Sequence, residues 1–183
     1  GEEASESTRE LLSVQRRPSG AEWSWLTGYG ATHTGYGETS QDVRTWDLIL
    51  RRRLIRKPTG RGTYSGSHDF LIEGAISHLL KPADRAPIFA VNFLASWSLT
   101  RWKRVRPYLF IGGGPVYTEA GIDEMGAHVN GNYQAGLGLA WKRQGQTLGV
   151  IEYRFHHISN GGRKEPNDPL NSSKVLLGLR LAF

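Results

Sequence analysis

Residues 88–99, "IFAVNFLASWSL", change character at every step. Phe89, Val91, Phe93, Ala95, Trp97 and Leu99 fall on one side of an extended chain, and Ala90, Asn92, Leu94, Ser96 and Ser98 on the other. A period of two over this length marks a β-strand. Residues 132–142, "NYQAGLGLAWK", repeat the scheme, with Tyr133, Ala135, Leu137, Leu139 and Trp141 opposed to Asn132, Gln134, Gly136, Gly138 and Lys142. Working outward from these two, the alternation recurs in about eight segments, roughly 22–32, 44–55, 68–79, 88–99, 106–117, 132–142, 147–158 and 172–183, each bounded by turn residues.

One face of each segment is large and apolar, while the other is small, polar or glycine. A soluble sandwich would bury the large face against a second sheet; a membrane barrel turns it to lipid and fills its lumen with the small face. Three features decide between them. Trp23, Trp25, Trp46, Trp97, Trp102 and Trp141 lie towards segment ends, where an interfacial aromatic belt belongs. Connections alternate, with "RQGQ" and "TRWKRVR" on one side and "TEAGIDEMGAHVN" on the other, although "KPTGRGTYSGS" is long for its side. The chain also stops on an amphipathic strand ending in Phe183. The expected fold is all-β: an eight-stranded antiparallel transmembrane up-and-down β-barrel over 21–183. Residues 1–20 lack alternation and are expected to form a tail or a short periplasmic helix.

Composition is compatible with this and excludes several chemistries. A hydrophobic share of 38% and a mean hydropathy of −0.44 leave no apolar run long enough for a membrane helix. The polar start "GEEASESTRE" shows no signal peptide, so the chain reads as mature or cytosolic. Cysteine is absent, which removes disulfides and thiolate chemistry. A net charge of +6 would suit nucleic acid or an anionic membrane surface. The basic residues Arg101, Lys103, Arg104, Arg106, Lys142 and Arg143 fall in the short turns, however, with no aromatic-bearing basic groove, so no nucleic-acid partner is expected. Asp47, Arg51, Glu73, Glu152, Arg154 and Arg180 lie on small faces and are expected to pair inside the lumen.

The seventh segment, "TLGVIEYRFHHISN", breaks the pattern in one place. Glu152 and Arg154 assign its even residues to the lumen, so Tyr153, Phe155, His157 and Ser159 face outward at the leaflet boundary. Side chains at i and i+2 of a strand stand roughly 6–7 Å apart at Cβ. A histidine at that spacing reaches a serine hydroxyl and can serve as its general base. Asn160, Gly162 and Asn167 follow in a loop as candidate oxyanion donors, and Asn171 neighbours His157 if the last two segments pair. His-x-Ser alone is common and Asn-Gly runs are ordinary turn chemistry; it is the exposed, lipid-facing position that singles this pair out. No histidine pair has metal-ligand spacing.

Residues 153–168, "YRFHHISNGGRKEPND", with a last strand ending in Phe183, resemble the signature of the PagL-type lipid A 3-O-deacylases, a family of eight-stranded outer-membrane barrels. The family pattern, His-x-Ser-Asn-Ala-Gly, then Pro-Asn, then an acidic residue on the last strand, falls on His157, Ser159, Asn160, Gly162, Pro166, Asn167 and Asn171. The resemblance implies Ser159 as nucleophile, His157 as base, and an oxyanion site drawn from Asn160, Gly162 and Asn167. Gly161 replaces an alanine, and Asn171 replaces the acid, with Asp168 and Glu165 nearby as substitutes. It further implies a cofactor-free serine esterase, a multi-pass barrel of the bacterial outer membrane. Its substrate would be the ester-linked 3-hydroxyacyl chain of lipid A in lipopolysaccharide, held against Tyr153 and Phe155 among outer-membrane lipids. The asparagine keeps two alternatives open, a phospholipase-like acyl hydrolase and a non-catalytic surface barrel, and a homodimer is left open as well.

Overall fold

The computed structural model describes residues 22–99, 104–122, 125–142 and 147–182. Strands β1 (Glu22–Thr32), β2 (Arg44–Thr59), β3 (Gly66–Lys81), β4 (Ile88–Leu99), β5 (Val105–Thr118), β6 (Val129–Lys142), β7 (Thr147–Ser159) and β8 (Leu170–Ala182) form one sheet. Each is antiparallel to the next, and β8 pairs back onto β1 to close a single barrel. The expected tail or helix at 1–20 lies outside the described residues, as do Arg101, Trp102, Lys103, Arg143 and Phe183.

The alternation works as the sequence implies. Along β4, Phe89, Val91, Phe93, Trp97 and Leu99 are exposed while Asn92, Leu94, Ser96 and Ser98 are buried. Trp23, Trp25, Trp46, Trp97 and Trp141 all lie near strand ends. One difference concerns 57–67. Its Pro and Gly content reads as a long loop, but β2 and β3 run on through it and stay paired as far as Thr59 and Gly66. A bulge between Arg53 and Ile55 absorbs the change in register. The turn that remains, 60–65, holds one 3-10 turn at Gly62–Tyr64. At the opposite end the connections are 33–43, 82–87, 119–128 and 160–169, three of them long.

The lumen is solid. Two apolar clusters occupy it, one around Leu26, Ile49, Leu94, Phe110 and Leu176, the other under the long loops around Leu79, Ile88, Val116, Ile122 and Leu170. Gly136 and Gly138 make room for the rings of β5: a Cβ on Gly136 would stand 2.5 Å from the Phe110 ring, and one on Gly138 2.4 Å from the Tyr108 ring. A buried charge network crosses the barrel. Arg51 contacts Glu73 and Glu152, each at 2.5 Å, and Arg154 contacts Glu73 at 3.1 Å and Glu152 at 2.5 Å. Tyr108 donates to Glu152 at 2.6 Å, and both guanidinium groups lie over the Phe110 ring. Asp47 pairs with Lys174 at 2.6 Å and accepts from Ser77. Arg180 approaches Glu22 at 3.7 Å. All six charges assigned to the lumen by sequence parity are buried there, in a setting where ions persist only when paired.

Candidate active site

Strand β7 carries the site because its parity never slips. Glu152, Arg154, His156 and Ile158 point inward and are buried, while Tyr153, Phe155, His157 and Ser159 point outward. Its partner β8 sets Asn171 opposite His157. On the other side β6 sets Tyr133 opposite His157 and Gly131 opposite Ser159. Three strands thus place four side chains and one gap on a small patch of outer wall.

The polar groups form a directed chain. Asn171 Nδ2 donates to the carbonyls of Tyr36 at 3.3 Å and Gly37 at 3.1 Å, and to Thr39 Oγ1 at 2.9 Å. Oδ1 therefore faces His157 Nδ1, at 2.7 Å, and must accept. Nδ1 then carries the ring proton, leaving the Nε2 lone pair towards Ser159 Oγ, at 3.1 Å. This tautomer is the one in which imidazole can take the hydroxyl proton. The Tyr133 ring lies over the imidazole with centroids 4.3 Å apart and planes 18° from parallel.

Beyond Ser159 the chain turns through Gly161 and Gly162, at φ +67° and +72°, left-handed values that suit glycine. The loop fastens itself through its asparagines. Asn160 N–H donates to Asn167 Oδ1 at 2.8 Å, and Asn160 Nδ2 donates to the Lys164 carbonyl at 2.6 Å. Loop 119–128 backs it, with Gly126 N–H donating to the Pro166 carbonyl at 2.7 Å. Asn160 is buried, and its backbone N–H and its Nδ2 each donate within the loop. Asn167 acts there as an acceptor. Among the described residues, the N–H groups of Gly161 and Gly162 have no hydrogen-bond partner. A cleft of about 370 Å³ opens beside Ser159, lined by Gly131, Asn132, Tyr133, Asn160, Gly161 and Arg163.

His157, Ser159 and Asn171 are thus brought into line, with Gly162 on the adjoining turn. Tyr153 and Phe155 share their face, and Tyr153 hydrogen-bonds Ser173 at 2.6 Å. Asp168 is not in the chain: it accepts from Ser40 at 3.0 Å, while Asn171 holds His157. Loop 33–43 is the part that strand periodicity could not reveal. It supplies Tyr36, Gly37 and Thr39 to Asn171, and His33 to Ser173 at 2.7 Å, with the rings of His33 and Tyr36 against Phe155. Among the described residues, no three His, Asp or Glu side chains gather where one metal ion could bind.

Two solved barrels share the fold. The outer membrane enzyme PagL matches at 17% identity with a TM-score of 0.58, covering 88% of this chain and 99% of that one. Neisserial surface protein A (NspA) matches at 12% identity with a TM-score of 0.63, covering 90% of this chain and 98% of that one. At these identities the likeness concerns architecture alone, and it extends equally to an enzyme and to a protein named for its surface position. No curated protein matches the chain in sequence. The family model described as "Lipid A 3-O-deacylase (PagL)" matches residues 20–180, nearly the whole length. The chain belongs to the PagL family of lipid A 3-O-deacylases.

Proposed function

We propose that this barrel hydrolyses the 3-O-linked 3-hydroxyacyl ester of lipid A by a serine–histidine mechanism, in the outer leaflet of a bacterial outer membrane. The supporting observation is the ordered chain Asn171–His157–Ser159 on the lipid-facing wall, with bonds of 2.7 and 3.1 Å. Acyl chains lie along the apolar strip of Tyr153 and Phe155, bringing the ester to Ser159 at interface depth. His157 Nε2 takes the hydroxyl proton as Ser159 Oγ bonds to the ester carbonyl carbon. The oxygen that becomes negative is held by the N–H groups of Gly161 and Gly162, preset by the turn. Asn160 and Asn167 brace that turn. The intermediate collapses by breaking the bond to the sugar oxygen, which takes the proton from His157. Water, deprotonated by His157, then releases the 3-hydroxy acid and restores Ser159. One chain supplies every group in this sequence.

The test is mass spectrometry of lipid A incubated with the folded barrel in detergent. Wild-type protein should remove one 3-hydroxyacyl mass, and Ser159→Ala should lower the rate by about 10⁴-fold or more while leaving the barrel folded. Acyl release by that variant would rule the mechanism out. Phospholipid offered in parallel separates this reading from a phospholipase-like one: release from phospholipid alone would reassign the substrate.

A further inference from the structure

The family pattern has an acid where this chain has Asn171, which invites the view that the site is a weakened copy. The surroundings of the side chain say otherwise. Its Nδ2 points at two backbone carbonyls, those of Tyr36 and Gly37, at 3.3 and 3.1 Å. Carbonyls accept and never donate, so an anionic oxygen in that place would meet two more lone pairs. The third neighbour, Thr39 Oγ1, is also committed. It donates to the Pro169 carbonyl at 2.7 Å and accepts from Asn171 N–H at 3.0 Å and Asn171 Nδ2 at 2.9 Å. Thr39 is 1% exposed and Asn171 5%, so water cannot supply missing donors cheaply. Gly37 completes the cradle. With φ at +52°, it has no Cβ where one would sit 3.0 Å from Asn171 Nδ2.

We propose that the third member of this site is an amide by construction: Asn171 positions His157 because it is asparagine, and Thr39 is a positioning residue that, with the Tyr36 and Gly37 carbonyls, fixes which of its ends faces the imidazole. Without the Thr39 hydroxyl, Asn171 loses the acceptor shared by its backbone N–H and its side chain, and only the two longer bonds to the Tyr36 and Gly37 carbonyls hold its donor end. With aspartate at 171, a carboxylate oxygen faces carbonyls, and the side chain either binds a proton or leaves its place. If it leaves, the Nδ1–H tautomer is no longer enforced; if it stays, it must hold a proton at neutral pH to donate to those carbonyls while accepting from Nδ1, and only the protonated fraction keeps the site in order.

This inference rests on the proposed Ser159–His157 esterase pair, but it is testable without lipid A. A fluorophosphonate probe phosphonylates an activated serine, displacing fluoride, at a rate set by that serine and its base. The rate of labelling at Ser159 is read by peptide mass spectrometry on full-length barrels shown to be folded by their heat-dependent gel mobility. Asn171→Asp should label about tenfold or more slowly than wild type, the expected penalty for unpaired buried polar groups. Thr39→Val should label several-fold more slowly and Thr39→Ser close to wild type. In turnover assays the Thr39→Val loss should fall on kcat with KM unchanged. An Asn171→Asp barrel that labels as fast as wild type or faster would overturn the proposal, as would full-rate labelling of Thr39→Val. Absence of labelling in the wild type would overturn it together with the esterase mechanism. Labelling with no action on lipid A would overturn only the substrate assignment.

Discussion

Along β7, Glu152 and Arg154 turn inward and His157 and Ser159 turn outward, and the two pairs are polar in different ways. The inner pair is ionic: two guanidinium and two carboxylate groups cancel in a sealed lumen, each held by more than one partner. The outer pair belongs to a neutral chain in which every hydrogen bond carries a direction. Inside, the requirement is balance of charge; removing one member strands its partners in a low-dielectric core. Outside, the requirement is orientation; removing one member leaves the wall standing and only the proton path cut. Alternation thus lets one strand serve both tasks.

Four substitutions test that division. Ser159→Ala, on the outer face, should abolish deacylation as measured above and leave the urea-unfolding midpoint within error of wild type. Glu152→Ala, on the inner face, should destabilise the barrel by about 3–5 kcal/mol, the usual result of uncovering a buried ion, read from urea titration of gel mobility. If it unfolds no more easily than wild type, the lumen network is not what holds the wall. Tyr133→Leu should keep stability but slow turnover by about threefold to tenfold, since it removes a ring face stacked on the imidazole that becomes cationic. Asp42→Asn, on the exposed rim, should be nearly silent. Hydrogen bonds from Lys81 and then Arg44 hold the Asp42 carboxyl below its ordinary pKa. Any stabilisation is therefore present above the ordinary carboxylate pKa and fades as pH falls through the lowered value. Solvent screens it throughout. A clear loss of stability at neutral pH in this variant would show that the rim pairs contribute more than their exposure implies.

The sequence made the strands legible because lipid and lumen demand opposite surfaces at every other residue. Parity alone placed His157 and Ser159 outside and the six lumen charges inside. Parity says nothing about loops. Thr39, Tyr36 and Gly37 sit in 33–43, which has no period and reaches Asn171 only because β8 returns to β1. Tyr133 reads as one more lipid-facing aromatic until the β6–β7 register sets it on His157. The turn after β7 is shaped by contacts that strand parity also leaves out. Asn167 Oδ1 accepts from the Asn160 N–H and Asn160 Nδ2 donates to the Lys164 carbonyl, so both asparagines help shape the turn, while the N–H groups of Gly161 and Gly162 have no partner among the described residues. Between β2 and β3, Pro58 and the glycines read as a loop where pairing in fact continues.

The pairing of β8 with β1 also has a consequence in time. Thr39 hangs from the first hairpin and Asn171 opens the last strand, so their hydrogen bond spans the line along which the barrel shuts. Until that line is zipped, His157 and Ser159 are neighbours on β7, but nothing dictates the tautomer of the ring. Closure of the barrel along β1 and β8 is thus also what completes the surroundings of Asn171.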